Sequence, residues 1–351
     1  MNAAFGAIGI HGCPPKLGGH HPQELNNAAQ DGTAGRSRYV GRQPAAGETI
    51  EADGFQLEPG GKGLNVAVGL HRLGAQVQTL IGCGQDPAAD TLLTLLAREG
   101  LPTRHVHRLP GPSGWGSGLI GADGHNSIAV YLGANRLLTA THAEAARQDI
   151  EAAQLVYGQF ETALPAVEAA FRIAHARGIP TVLNPSPWRA PPPGLRETTH
   201  TVMVNQTEVA PLLALTEPLG HAIDGIAGQL AGAMNAFATE WPAARRLILT
   251  LGERGALAAE QTEAGRWAFW HAPAPAIDPV DTVGAGDAFA SGYLRATLRG
   301  EPLPVALVWG NRCGAHVAAQ AGVLGALPDA RQLATLLGAD PPISAPRLPI
   351  D

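Results

Sequence analysis

Two spacings of apolar residues take turns along this chain. Short runs at 77–81, 154–157, 181–183, 201–204 and 246–250 suit buried strands. Between them, apolar residues recur at helical spacing over 66–73, 164–177, 222–238, 285–299 and 304–321. Punctuation agrees with the periods. Gly74 follows the first helix and Gly178 the second, both at positions suited to a left-handed cap. Asp86-Pro87 reads as an N-cap followed by proline in the first turn, opening a helix with Leu92, Leu93 and Leu96 on one face and Gly100 at its end. A short strand is expected at 4–10, whereas 11–38 is rich in Gly, His, Pro, Asn and Gln, shows neither period, and reads as loop.

Strands alternating with helices predict an α/β fold, a doubly wound and mostly parallel sheet covered on both faces through right-handed crossovers. One region breaks the alternation. Runs at 116–121 and 127–131 flank Ala122-Asp123-Gly124-His125, and Asp-Gly between strand-like runs is a hairpin signal. With material around 36–58 it forms the expected small second sheet, a lid built from about 36–58 and 112–132. One domain is thus expected over 1–338, followed by a proline-rich tail at 339–351.

A hydrophobic fraction of 45% with 15% charged residues suits a globular chain rather than a disordered one. The net charge of −6 provides no basic field for nucleic acid. No stretch reaches the roughly 18–20 apolar residues of a membrane span, and the first residues do not resemble a signal peptide. Cys13, Cys83 and Cys313 are widely spaced without a CxxC, which argues against a disulfide framework or zinc site and for a cytoplasmic location. His20-His21 and His105-x-His107 lack an evident third ligand and read as surface histidines. Lysine occurs only at Lys16 and Lys62, and the second lies inside a glycine run.

Polar or glycine residues follow four successive strands: Gln159 and Glu161, then Asn184, then Asn205 and Glu208, then Thr250, Gly252 and Gly255. Ligands of open α/β sheets gather at the carboxyl ends of strands, so these endings suggest one shared site. The segment Asp281-Thr282-Val283-Gly284-Ala285-Gly286-Asp287-Ala288-Phe289 opens a helix with flexible glycines whose N–H groups can hold an anion. Asp287 then stands beside that anion, either as a proton acceptor or as a plain first-turn acid that complements the helix dipole. Gly60-Gly61-Lys62-Gly63-Leu64-Asn65 opens another helix without Walker A spacing, and suits either a polyhydroxylated ligand or a simple strand-to-helix turn. Gly82-Cys83-Gly84 lacks the third glycine of a dinucleotide-binding turn, which disfavours a Rossmann dehydrogenase.

Together, Gly60-Gly61-Lys62-Gly63-x-Asn65 and Asp281-x-x-Gly284-Ala285-Gly286-Asp287 resemble the ribokinase-like (PfkB) family over about residues 40–330. Lesser matches resemble its ribokinase branch: Pro44-x-x-Gly47-Glu48-Thr49, Gly133-Ala134-Asn135, Gln159-Phe160-Glu161, Leu183-Asn184-Pro185-Ser186-Pro187, Asn205-Gln206-Thr207-Glu208 and Thr250-Leu251-Gly252-x-x-Gly255.

The resemblance implies transfer of the ATP γ-phosphoryl group to a sugar hydroxyl, with D-ribose the first expected sugar. Asp287 would be the general base, and the amides of Gly284, Ala285 and Gly286 the anion hole. Gly60, Gly61, Lys62, Asn65 and Glu161 would hold the sugar. Asn205 and Glu208 would lie near the phosphates and Mg²⁺. Thr250, Gly252, Gly255 and Gly286 would line the nucleotide site, with Asn311 near adenine. Asp281, Val283 and Gly322 would match a monovalent cation (K⁺) site, although Ala326 stands where the ribokinase branch usually has serine. A homodimer through the lid is a further implication, and Trp115 in that lid suits either a sugar cover or a dimer contact.

One departure is local. The branch carries an Asn-x-Asp at the end of its first strand, at a set distance before the Pro-x-x-Gly-Glu-Thr motif. Counting back from Pro44 reaches Gly35, and counting forward from Gly9 reaches Pro14. Neither side chain accepts a hydrogen bond, and Asp31 is the nearest carboxylate. A different substrate (deoxyribose, fructose, a nucleoside such as adenosine, or a sugar acid) or a non-catalytic sensor therefore stays open beside the ribose reading.

Overall fold

Capping chemistry sets the helix ends. Asp86 accepts the Ala89 N–H at 3.1 Å and opens the Pro87–Glu99 helix, which closes at Gly100 with φ 74°. In this computed structural model the described residues are 8–11, 35–121, 126–338 and 347–348. The expected turn at 122–125, Cys13, Pro14, His20-His21, Asp31 and most of the 11–38 loop lie outside them.

In chain order, β1 (Ile8–His11) enters the main sheet, while β2 (Gly35–Val40) and β3 (Gly54–Glu58) belong to the smaller one. Next come β4 (Gln76–Thr79), β5 (Ile81–Cys83), β6 (Val106–Arg108), β7 (Trp115–Gly121) and β8 (Asn126–Tyr131). Then follow β9 (Leu155–Gln159), β10 (Thr181–Asn184), β11 (Thr201–Asn205) and β12 (Arg246–Thr250). Last come β13 (Ala256–Gln261), β14 (Trp267–Ala272) and β15 (Arg347–Leu348).

The main sheet has nine strands in the order β15-β14-β13-β12-β11-β10-β9-β1-β4. Its centre, β9 to β12, is parallel, as the alternating pattern requires. β13, β14 and β15 extend it antiparallel, and β1 runs against both of its neighbours, so β4, β9–β12 and β14 share one direction. Alternate residues feed two cores. Leu155, Tyr157, Val182, Met203 and Ile248 pack on one face; Val156, Leu183, Val202, Val204, Leu247 and Leu249 pack on the other. Both faces are thus buried, as a doubly covered sheet demands.

The expected strand at 77–81 divides at Leu80. β4 stays in the main sheet, while Ile81 donates its N–H to the His105 carbonyl at 3.0 Å and β5 pairs with β6. Leu80 and Ile81 are both buried, so an unbroken apolar run conceals the change of partner. The small sheet, β3-β2-β7-β8, combines the two regions expected to form the lid. Trp115, Ile128, Val130 and Tyr131 are exposed on it.

Two helices cross closely beneath the site. A Cβ on Gly69, in the Lys62–Arg72 helix, would lie 2.4 Å from Ser291 Oγ and 2.9 Å from Ser291 Cβ, in the Ala285–Leu298 helix. Ser291 Oγ donates across to the Val66 carbonyl at 3.4 Å, and Arg295 Nε donates to the Leu73 carbonyl at 2.8 Å, fastening the crossing at two levels. Gly69→Ala is expected to destabilise the protein by about 1–3 kcal/mol, the usual cost of overpacking, measured by urea unfolding.

Candidate active site

Gly61 precedes the Lys62–Arg72 helix with φ 116° and offers no side-chain cap. The missing acceptor comes from Glu161, just beyond β9, whose Oε2 accepts the Lys62 N–H at 2.8 Å. Gln159 Oε1 in turn accepts the Glu161 N–H and fixes that turn. One turn into the helix, Asn65 Nδ2 donates to Asp287 Oδ2 at 2.7 Å, and Lys62 Nζ stands 3.8 Å from Asp287 Oδ1. The two glycine-led segments therefore meet at one carboxylate.

Asp287 is 6% exposed. Burial pushes its carboxyl above the usual aspartate range, against the opposing pull of Lys62 and the Asn65 hydrogen bond. Glu161 is raised likewise by burial, with Lys62 working against the shift and Asp287 adding to it. Burial disfavours the Lys62 ammonium, but Asp287, Glu161 and Glu208 outweigh it and raise its pKa. The centre is thus a cation among three carboxylates, with Asp287 Oδ1 the less committed oxygen.

The loop before Asp287 is held at both ends. Asp281, fully buried, accepts the Val283 N–H at 2.9 Å through Oδ1 and the Gly322 N–H at 3.3 Å through Oδ2. Gly284 caps the helix with φ 76°, and a Cβ there would lie 2.2 Å from Val323 Cγ1, so neither the backbone nor the space admits a side chain. A Cβ on Gly286 would meet nothing within 4 Å, which leaves its backbone approachable from the cleft. The Ala285 N–H donates to the Thr282 carbonyl at 3.3 Å. Of the three amides expected to receive an anion, that one already has a protein acceptor.

A cleft of about 320 Å³ opens between these segments and the strand ends, and its lining includes Lys62, Asn184, Asn205, Glu208, Thr250, Gly286 and Asp287. Asn205 and Glu208 form a capping box: Asn205 Oδ1 accepts the Glu208 N–H at 3.0 Å, and Glu208 Oε2 accepts the Asn205 N–H at 3.0 Å. That leaves the second Glu208 oxygen for the cleft. Thr250 Oγ1 donates to the Val204 carbonyl at 3.4 Å.

A buried carboxylate at a glycine-led helix start and a polar cleft at parallel strand ends stand beside the comparison to known proteins. The profile of the pfkB family carbohydrate kinases matches residues 35–330. The chain belongs to this family of carbohydrate kinases. It is 30% identical over 302 residues to a ribokinase of Bacillus subtilis (strain 168), covering 84% of this chain and 93% of that one. It is 31% identical over 259 residues to a deoxyribokinase of Salmonella typhi, covering 72% and 78%. Its fold superposes on Arabidopsis thaliana ribokinase, solved with ribose and ATP, with a TM-score of 0.75, 22% identity, and coverage of 88% of this chain and 96% of that one.

Not every expected site residue of this kinase faces the cleft. Asn311 Nδ2 donates to the Ala272 and Pro273 carbonyls at 2.7 and 3.2 Å, and Gly255 packs against the same Ala272–Ala274 stretch. Both residues therefore shape the loop after β14, while Gly252 lies in the exposed turn after β12. Gly47 and Glu48 build a local turn in which the Ala45 N–H donates to Glu48 Oε2 at 2.8 Å. Asn135, fully buried, uses its carbonyl to receive the Ala163 N–H at 3.2 Å.

The first-strand departure gains a physical form. The family match begins at residue 35, the position that counting back from Pro44 assigns to the aspartate. Ile8 pairs with Tyr157 and Ile10 with Leu155, so β1 runs against β9 and ends at the sheet edge away from the cleft. Gly35 opens β2 in the small sheet. One residue escaped the sequence reading: Glu58, at the end of β3, accepts the Val323 N–H at 2.7 Å. Its only sequence signal is a lone carboxylate directly before the glycine run. Gly284→Ala is expected to lower turnover by about tenfold or more by displacing the loop against Val323, and a steady-state assay of kcat checks it.

Proposed function

We propose that this kinase transfers the γ-phosphoryl group of ATP to the 5-hydroxyl of D-ribose, yielding ribose 5-phosphate and ADP. The observation that carries the reading is the Asp287 carboxylate, fastened through Oδ2 by Asn65 and open through Oδ1 beside the start of its own helix. In this reading Oδ1 takes the proton of the attacking hydroxyl as the new O–P bond forms and the bond to the ADP oxygen breaks. The amides of Gly284 and Gly286, with that of Ala285 giving up the Thr282 carbonyl, stabilise the charge on the transferred group, where positioning and fixed dipoles supply most of the rate. Gly60, Gly61, Lys62, Asn65 and Glu161 hold the sugar. Thr250, Gly252, Gly255 and Asn311 shape the nucleotide end.

The donor set fits two ions. A Mg²⁺ carried mainly by phosphates and water would have Glu208, in the cleft lining, behind it. That ion would neutralise phosphate charge. Asp281, the Val283 carbonyl and the Gly322 segment suit K⁺ beside the anion loop. Cytoplasmic action accords with the free, buried Cys83 and Cys313. Pairing of two copies through the small sheet accords with its exposed apolar residues, Ile128 and Val130 on one face and Trp115 and Tyr131 on the other.

A second substrate, 2-deoxy-D-ribose, is favoured by the similarity to a deoxyribokinase and by the family match that starts only at residue 35. Sugar-dependent ADP release on ribose and deoxyribose, with and without K⁺, separates the two. The ribose reading requires the higher kcat/KM on ribose; ATP binding without turnover on either sugar, fructose or adenosine would mark a sensor.

Asp287→Asn is expected to lower kcat by about a hundredfold or more while ATP affinity stays within about twofold, read by turnover and calorimetry. A base acts ionised, and the Asp287 carboxyl is raised by burial. Turnover should therefore fall as pH drops, with a midpoint above the ordinary aspartate range, and the residual activity of the Asn variant should lack that limb.

A further inference from the structure

Glu58 closes β3, the strand of the small sheet that leads through Pro59, Gly60 and Gly61 into the Lys62 helix. Its Oε1 accepts the Val323 N–H at 2.7 Å, although the two residues stand 265 positions apart. Among the described residues no lysine or arginine pairs with it, so the carboxylate serves as an acceptor of backbone N–H groups.

Val323 has a second role. Its Cγ1 lies so close to Gly284 that a Cβ there would sit 2.2 Å away. The neighbouring Gly322 N–H donates to Asp281, at the other end of the loop. The turn at 322–324 is therefore the floor on which the Gly284–Gly286 loop rests. Asp281 holds that floor from within the loop, and Glu58 holds it from the small sheet.

We propose that Glu58 is a positioning residue: its bond to Val323 couples the small sheet to the loop that presents Gly286 and Asp287, so that the loop is set only while β3 is seated. The inference rests on the reading of that loop as the phosphoryl site. The bond links the strand that feeds the sugar-side helix to the loop on the phosphoryl side. Seating of β3 and setting of the Gly284–Gly286 loop thereby become one event.

The test compares Glu58→Ala, Glu58→Gln and Glu58→Asp in the full chain. kcat and the two KM values are read separately, and amide hydrogen exchange is followed at 282–287 without substrates. Glu58→Ala should lower kcat by about tenfold, the loss expected of one hydrogen bond, and speed exchange at 282–287. The sugar KM should stay within about twofold, because the sugar-side contacts are kept. Glu58→Gln keeps an acceptor oxygen and should recover both readouts. Glu58→Asp keeps the charge but withdraws it by one methylene, and should behave as Glu58→Ala; it also serves if the alanine variant does not fold. Unchanged exchange and kcat in the Ala or Asp variant would overturn the coupling, as would a Gln variant as impaired as Ala. If the wild-type chain turns over no sugar, the ribose reading fails, while the exchange comparison still decides the coupling.

Discussion

The Asn65–Asp287 hydrogen bond, buried and 2.7 Å long, is the point on which the rest of the site depends. It joins two helix starts that lie 222 positions apart, and each depends on help from elsewhere. The Lys62 helix takes its cap from Glu161; the Ala285 helix takes its N-terminal geometry from Gly284 pressed against Val323. The Gly69–Ser291 crossing brings the two axes close enough for a short amide to bridge them. A side chain added at that crossing would widen the distance the bond must span.

Electrostatics follow from the same arrangement. A chain of net charge −6 gathers three carboxylates around a single lysine and buries them. Burial alone would favour neutral acids, whereas Lys62 and the amide donors favour the ions. For Asp287 burial prevails and its carboxyl is raised, with Lys62 and Asn65 pulling the other way. Positive potential at the cleft is available from the backbone N–H groups of helix starts rather than from a basic surface.

Much of this was legible in the amino-acid pattern, and the exceptions have physical causes. The parallel strands announced themselves because both of their faces are buried, and the glycine-led helix starts because few other residues tolerate such turns. β13 passed unread, since Ala256, Ala258 and Ala259 have little strand preference and are held there by their partners in the sheet. Asn205 and Glu208 were visible as a pair, but their capping box meets the local requirement first and leaves only part of each for a ligand. Asn311 shows the converse: a polar residue read as a contact for the nucleotide spends its amide on the Ala272 and Pro273 carbonyls. Glu58 could not be read at all, because its partner is distant in sequence and is a backbone group that any residue carries.

The two-residue strand β15 has a consequence of another kind. Leu348 pairs with Phe269 and Arg347 with Trp270, so the end of the chain occupies the outer rim of β14. Without it, an aromatic-rich strand would present unpaired N–H and C=O groups to any other extended chain, the usual template for sheet-to-sheet aggregation. Arg347 and Leu348 thus cover that rim, and a change that unseats these two residues would make itself felt first as self-association rather than as a loss of catalysis.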